Sequence, residues 1–412
     1  MAGYTYDESS SNLYSLLTGD GVDQTTANNI INQLFNGLPP GSTIPVDIVP
    51  PNTNPTPDQS QVLILQPPVN SAINTSDFPD LQDIILADPA SSVTITGTQS
   101  VFIATGDITG SGDYKVTLND SGNDTVVTGS GHDTVFGGSG ADFIQVGDGS
   151  GDLVKAGTGS NQTIVAGDGD NDTLDGGAGA HDSIAAGNGD GDLLMGGSGS
   201  HQTLQAGDGQ GDTLMAGDGA NDSIVAGSGD GDLLMGGKGS HETLQAGDGQ
   251  GDTLTGGSGS YDWIRSGDGD NDSLTAGSGS HQTVQAGDGQ NDTLIGGSGA
   301  DDLIIAGAGN DSLVAGSGAN QTLVAGAGND TLLGGGGNDT FNVGLQGNDT
   351  IDGGTGNDNI VNFAHTNTDV TLPSSPNGSG YYEIQFTDTG QTVWVKNVAH
   401  VFFSGDPDPH NP

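Results

Sequence analysis

The 412-residue chain sets five Lys and Arg against 53 Asp and Glu, a formal net charge of −48, and it contains no cysteine. A polyanion of this strength excludes nucleic acid and anionic membrane as partners and opposes its own compaction, and without cysteine there are neither disulfides nor thiolate metal sites. Only Glu8, Glu242 and Glu383 are glutamates; a tight oxygen cage around a hard cation favours the short Asp side chain beside backbone carbonyls.

The start, Met1 to Glu8, has no basic run and no apolar stretch of signal-peptide length, and no segment approaches a membrane span. No membrane insertion is expected. The chain is expected to be cytosolic or to leave by a route that reads no N-terminal signal. Residues 1–40 predict a small helical region, with Leu13, Leu16 and Leu17 and then Ala27, Ile30, Ile31, Leu34 and Phe35 at helical spacing. Residues 41–83 read as a Pro-rich linker. It holds an apolar strand, Val62, Leu63, Ile64 and Leu65, that must pair with something and on a flexible tether reaches a neighbouring molecule as readily as its own. Residues 84–127 carry regular strands such as Val93 to Thr96 and read as a solenoid start or cap.

From residue 128 to 361 one phrase recurs about two dozen times. Two nine-residue units, 128–136 and 137–145, precede sixteen ten-residue units from Val146 to Ile305, and mixed units run on to Val361. Each supplies two glycines one residue apart, an acidic or amide residue, and an aliphatic residue two places later. Gly137-Gly-Ser-Gly-Ala-Asp-Phe-Ile-Gln145 fits the pattern G-G-x-G-x-D-x-U-x at every position. The array resembles the RTX, or haemolysin-type calcium-binding, repeat family. That resemblance implies an all-β fold, a right-handed parallel β-roll (β-solenoid) with two units per turn, Ca²⁺ bound at multiple sites in the loops, and type I secretion. The residues support it independently: glycines tolerate positive φ and bring carbonyls inward, aspartates add charged oxygen, and the ninth position is aliphatic from Val154 to Ile304.

If units alternate between two loop edges, one edge carries Asp152, Asp172, Asp192, Asp212, Asp232, Asp252, Asp272 and Asp292, with Asp148, Asp168, Asp208, Asp248, Asp268 and Asp288 between its glycines. These are the expected calcium ligands, joined by Asp133, Asp142, Asp311, Asp330, Asp339, Asp349 and Asp358 of the nine-residue and later units. The opposite edge reads Gln162, Asp182, Gln202, Asp222, Glu242, Asp262, Gln282 and Asp302, preceded by Asn161, His181, His201, Asn221, His241, Tyr261, His281 and Asp301. No strict calcium ladder is expected there. The imidazoles make a transition-metal or pH-sensitive surface, or these His and Gln side chains cap the loops by hydrogen bonding. His241-Glu-Thr-Leu-Gln245 lacks the second histidine of a zinc-protease motif.

Among outward strand positions Leu193, Met195, Met215, Leu233 and Met235 form an apolar set that reads as an interface for self-association, or as a face covered by the N-terminal region. Residues 362–412 read as a C-terminal β cap, similar to the C-terminal ends of RTX proteins exported by type I secretion. No convergent catalytic constellation stands out, and no enzyme activity is expected. The expected function is a secreted calcium-binding structural protein of the cell surface or extracellular matrix, folding on calcium and assembling into fibres or a layer. The alternatives are an adhesin or ice-binding RTX protein, against which the irregular residues between the glycines count, and a non-catalytic accessory module of a carbohydrate-active enzyme.

Overall fold

The computed structural model describes all residues except 1–3, 20–23, 35–38, 40–41, 51–52, 56, 67–69, 87–91, 106–111, 373 and 411–412. Phe35 of the helical pattern lies outside the described residues. The chain forms two compact units, residues 1–209 and 210–412; the repeat sequence shows no break at that point.

In the first unit, β1 (Tyr4–Ser9) is followed by α1 (Ser10–Gly19), α2 (Gln24–Leu34), β2 (Thr43–Val49), β3 (Val62–Leu65), β4 (Asn70–Asn74) and β5 (Asp83–Leu86). β1 pairs antiparallel with β2, and β2, β3 and β5 then pair in parallel. The parallel ladder continues through Phe102–Thr105 and the three-residue strands from Thr125–Val127 to Thr203–Gln205. A second parallel sheet runs from β4 through Ser92–Gly97 and Lys115–Asp120 to Leu193–Met195. Each coil of a β-roll contributes one strand to each sheet.

The roll therefore begins inside the segment expected to be a linker. All four residues of β3 and of β5 are buried, because both faces of this part of the sheet are covered. Leu63, Leu65, Ile84 and Leu86 alternate with residues that meet the helices: Leu13, Leu17, Ala27, Ile30 and Leu34 pack against Val46, Val62, Ile64, Ile85 and Ala104. Val62 to Leu65 is thus an internal strand paired on both sides, not a free strand for donation to a neighbour. The helices cover this face of the first unit. Leu193 and Met195 of the first unit, and Met215, Leu233 and Met235 of the second, are half-buried.

The second unit repeats the two-sheet coil from Thr213–Met215 onward. One aliphatic side chain per strand points inward: Leu234, Leu244, Leu254 and Ile264 are fully buried, with Ala246 and Ala276 as small fillers in the turns. At the C-terminal end Tyr382–Phe386 and Thr392–Lys396 form the expected hairpin. Thr392–Lys396 extends the sheet of Thr350–Asp352, and His400–Phe403 extends that of Ile360–Phe363. Phe363, Phe386 and Phe403 close the end as a ring cluster, and the buried His365, stacked on Phe386 and bonded to Asp388, lies against it. No described helix is long and apolar enough to cross a membrane.

Truncating Leu17, which the helices bury against β3, removes apolar contacts in the first unit. Leu17→Ala is expected to destabilise that unit by about 2–5 kcal/mol. Hydrogen exchange resolved by segment should show β2 and β3 opening more readily while strands beyond residue 210 keep their protection.

Candidate calcium-binding edges

Both loop edges place one polar side chain per coil at the same buried position. On the edge that precedes the second sheet these are Asp133, Asp152, Asp172 and Asp192 in the first unit and Asp212, Asp232, Asp252, Asp272, Asp292, Asp311, Asp330 and Asp349 in the second, all at most 3% exposed. Each carboxylate is anchored to the coil before it. The Asp152 N–H donates to Asp172 Oδ1 at 2.9 Å, Asp232 to Asp252 at 2.9 Å and Asp272 to Asp292 at 2.9 Å. The other oxygen is left over: Oδ2 of Asp133, Asp152, Asp172, Asp232, Asp252, Asp272, Asp292, Asp311, Asp330 and Asp349 is buried and has no hydrogen-bond partner among the described residues.

Desolvation is the dominant consequence. Burial pushes Asp152 up to about 8, Asp232, Asp272, Asp311 and Asp349 up to about 7, and Asp133 and Asp172 up to about 6. An unpaired ionised carboxylate costs several kcal/mol to bury. The single inward aliphatic side chain of a strand contributes roughly 1.5–3 kcal/mol. The core alone therefore cannot hold the ionised column, and a proton or a cation must neutralise it.

The loops suit a cation bound by oxygen. The second glycine of each pair is required by close approach: a Cβ on Gly169 would stand 1.7 Å from the Gly149 carbonyl oxygen, and one on Gly289 1.8 Å from that of Gly269. Successive loops thus stack carbonyls beside the buried carboxylates, the hard oxygen donors that calcium takes. No three His, Cys, Asp or Glu side chains converge among the described residues, so the backbone must supply most of the coordination. The residues that would hold each ion are the column aspartate and the carbonyls of its glycine loop.

The aspartates between the glycines stand outside the buried column. Asp148, Asp168, Asp248, Asp268 and Asp288 are exposed, and their carboxylates accept backbone N–H groups of the next coil: Asp168 N–H to Asp148, Asn188 to Asp168, Asp268 to Asp248, Asp288 to Asp268 and Ala308 to Asp288. Asn188 takes the same place in that series, donating to Asp168 and accepting from Asp208. These, with the exposed Asp208, are an outer ladder that splints the loops, separate from the buried column. Asp358 is also exposed, against His400; the buried position of that coil belongs to Asn359.

The opposite edge solves the same problem without a cation at its amide positions. Gln282 Nε2 donates to the Gly259 carbonyl at 2.9 Å and to Asp262 Oδ2 at 3.2 Å, while Asp262 Oδ1 accepts the Glu242 N–H at 3.0 Å. Gln202 Nε2 donates likewise to the Gly179 carbonyl at 2.6 Å, Gln321 to that of Gly299 at 2.7 Å, and Asn359 closes the series on that of Gly353 at 2.6 Å. An amide N–H₂ thus sits where carbonyl and carboxylate oxygens otherwise need a positive charge. Asp142, placed on this edge by the fold, is fully bonded, accepting from Asp124 and Gly138. Asp339 and Glu242 keep one bare oxygen each, and burial pushes them up to about 6 and 8. Asp124, not anticipated as a site residue, begins this column and is pushed up to about 8 by burial.

The residue that lengthens nine to ten has one structural role. Asn161, Asn171, His181, His201, Asn221, His241, Tyr261, Asn271, His281, Asn291 and Asp301 all have φ between 61° and 66°, and Asn320 repeats this in the ten-residue unit 315–324. Glycines fill the same place at Gly151, Gly191, Gly211, Gly231 and Gly251. The histidines stack: His181 on His201 at 4.8 Å and 5° within the first unit, His241 on Tyr261 at 5.2 Å and Tyr261 on His281 at 4.9 Å within the second. Rings stacked face to face direct their nitrogen lone pairs side by side, so they do not converge on one metal at the roughly 2.0–2.1 Å that zinc requires. Of the His and Gln side chains expected to cap the loops, the glutamines do so.

The family model of the RTX calcium-binding nonapeptide repeat matches in four copies, over residues 119–153, 286–321, 319–346 and 343–361. The matched segments are RTX calcium-binding repeats, and they lie in a parallel β-roll. Comparison with curated proteins and with solved structures gave no match. The matches leave out residues 154–285, which consist of ten-residue units, while two further ten-residue units, 286–295 and 296–305, lie inside the second match. RTX repeats bind calcium, and the chain accordingly carries multiple Ca²⁺ sites.

Two outcomes follow. Replacing Asp232 and Asp252 by Asn is expected to lower the number of calcium ions bound at saturation, whereas replacing Gln282 and Gln321 by Asn leaves that number unchanged and costs about 1–3 kcal/mol per lost buried amide bond; calorimetric titration counts the ions. The second concerns pH. Folded-state values raised from 3.8 to about 6–8 mean that the folded roll binds protons more tightly than the unfolded chain. The metal-free roll is then most stable below about pH 4 and loses that stability as pH rises through about 6–8. Circular dichroism in chelator should show β content growing on acidification from pH 8 to about 4.5.

Proposed function

We propose that this RTX β-roll is a secreted structural protein of the cell surface or extracellular matrix, held unfolded at low calcium and folded where calcium is abundant. The observation that carries the reading is the column of buried carboxylates with bare second oxygens, which makes the whole array depend on a cation while offering it no substrate. Two-sheet coils make up most of both units, helices cover the first strands of one and an aromatic hairpin packs on the last strands of the other, which suits a structural role. On this reading the protein is non-catalytic: its polar groups recur by repetition along two edges. Assembly would use the half-buried methionine face of the second unit, where Met215 and Met235 lie in register on adjacent strands.

The experiment is sedimentation velocity and circular dichroism of the full chain in chelator and in millimolar calcium. The expected result is a largely disordered monomer in chelator, with magnesium a poor substitute because it resists dehydration, and a β-rich assembling species in calcium. Met215→Thr with Met235→Thr should reduce assembly without changing the calcium midpoint. A chain that stays monomeric at high concentration in calcium would remove the assembling-structure reading, and a spectrum indifferent to chelation after exhaustive dialysis would remove calcium-coupled folding.

A further inference from the structure

One unit of the array departs from all others. Between residues 128 and 361 the only tyrosine, tryptophan and arginine are Tyr261, Trp263 and Arg265, two residues apart in a single ten-residue unit. The interior is untouched: Ile264 between them is fully buried, as its counterparts are. The change is confined to positions that face outward. Trp263 and Arg265 alternate on the outer face of strand Trp263–Arg265, Tyr261 stands on the loop just before it, and all three are exposed, Tyr261 by 55% and Trp263 by 42%.

Packing does not explain these residues. Tyr261 has φ 66°, a conformation uncommon for a residue with a bulky side chain and filled by Asn, His or Asp in the other coils of this edge. Such local strain persists where it serves a site. Arg265 is the one arginine of a chain with net charge −48, yet it makes no ion pair among the described residues. Trp, Tyr and Arg are the residues that dominate binding energy at recognition surfaces.

The surroundings indicate what is recognised. In register beside Trp263 lie Thr243 and Thr283, and beside Arg265 lie Gln245 and Gln285, one strand away on either side at about 4.8 Å. Tyr261 is flanked by the stacked rings of His241 and His281. An isolated indole among hydroxyls, amides and imidazoles lacks the contiguous apolar area of a protein interface core. It supplies instead what a sugar chain needs: an aromatic surface for the C–H face of a pyranose, and planar donors and acceptors at regular spacing for its hydroxyls, with a guanidinium that can bond two of them at once. The strongly negative body repels acidic polymers. We propose that Tyr261, Trp263 and Arg265 form a binding site for a neutral polysaccharide on the outer face of the roll. The site requires the folded coil but not secretion or assembly.

The repeat itself provides the controls. Trp263→Thr and Arg265→Gln install the residues that both neighbouring coils carry at those positions, and Tyr261→Asn the residue that stands two coils away at Asn221, so each variant is expected to keep the wild-type circular dichroism in calcium; Tyr261→Asn relieves the strained φ. Affinity electrophoresis of the full chain in calcium-containing gels, with embedded hydroxyethylcellulose, β-glucan, mannan or starch as neutral probes and carboxymethylcellulose as the anionic one, measures binding. The expected result is retardation by at least one neutral polymer, weakened about tenfold or more in Trp263→Thr and less strongly in the other two, with carboxymethylcellulose weaker than its neutral counterpart. A wild type retarded by none of the neutral probes, or retarded equally in Trp263→Thr, overturns the proposal. Sedimentation of Trp263→Thr separates the protein alternative: loss of self-association with no polysaccharide binding in the wild type would assign the patch to a second copy of the chain.

Discussion

The structure depends on a column of carboxylates buried beside a core one side chain thick. In an ordinary domain a buried Asp is matched by a cationic partner or by several N–H donors. Here a column aspartate such as Asp152, Asp252 or Asp349 accepts the N–H of the coil before it through Oδ1, while its Oδ2 is buried with no hydrogen-bond partner among the described residues. With five basic residues in the whole chain, no internal cation is available to match the column. Neutralisation must come from outside, as calcium or, at acid pH, as protons. The thin core makes this constraint decisive, since one aliphatic residue per strand does not outweigh the desolvation of one ionised carboxylate.

The opposite edge shows that the chain can relax the same constraint when the residue type changes. Gln282 carries its own N–H₂ into the oxygen-rich loop and bonds both the Gly259 carbonyl and Asp262. In the Gln282–Asp262 and Gln202–Asp182 pairs the alternation is a division of labour: the amide supplies a hydrogen to the carboxylate of its acidic neighbour. A roll built this way keeps part of its loop structure independent of metal along one edge while the other responds to calcium in full.

The ends follow from a different requirement. A stack of parallel strands exposes an unpaired edge and an apolar face at each end. Antiparallel β1 and the two helices cover the first coils, which is why Val62 and Ile64 are as buried as Leu63 and Leu65. The hairpin with Phe386 and the strand with Phe403 close the last ones, and His365 and Asp388 add a polar pin.

Sequence alone determined the coil. The β-roll itself came from the resemblance of the repeat to the RTX family, while the inward aliphatic ladder, the asymmetry of the edges and the C-terminal hairpin were legible from the residues and their spacing. Three matters were decided only by tertiary structure. Residues 41–83 read as a linker because proline and polar residues dominate them, yet β2, β3 and β5 form once neighbouring coils and helices offer partners, a non-local gain that local composition does not encode. Asp148 and Asp152 are both loop aspartates a few residues apart; only the stacking of coils puts one outside as a splint and buries the other with a bare oxygen. And the residue that lengthens the repeat looked like a ligand or cap when it was histidine, whereas its left-handed backbone turns the imidazoles into face-to-face stacks. Periodicity specifies which residues face inward, but the partners they meet there come from coils twenty residues away.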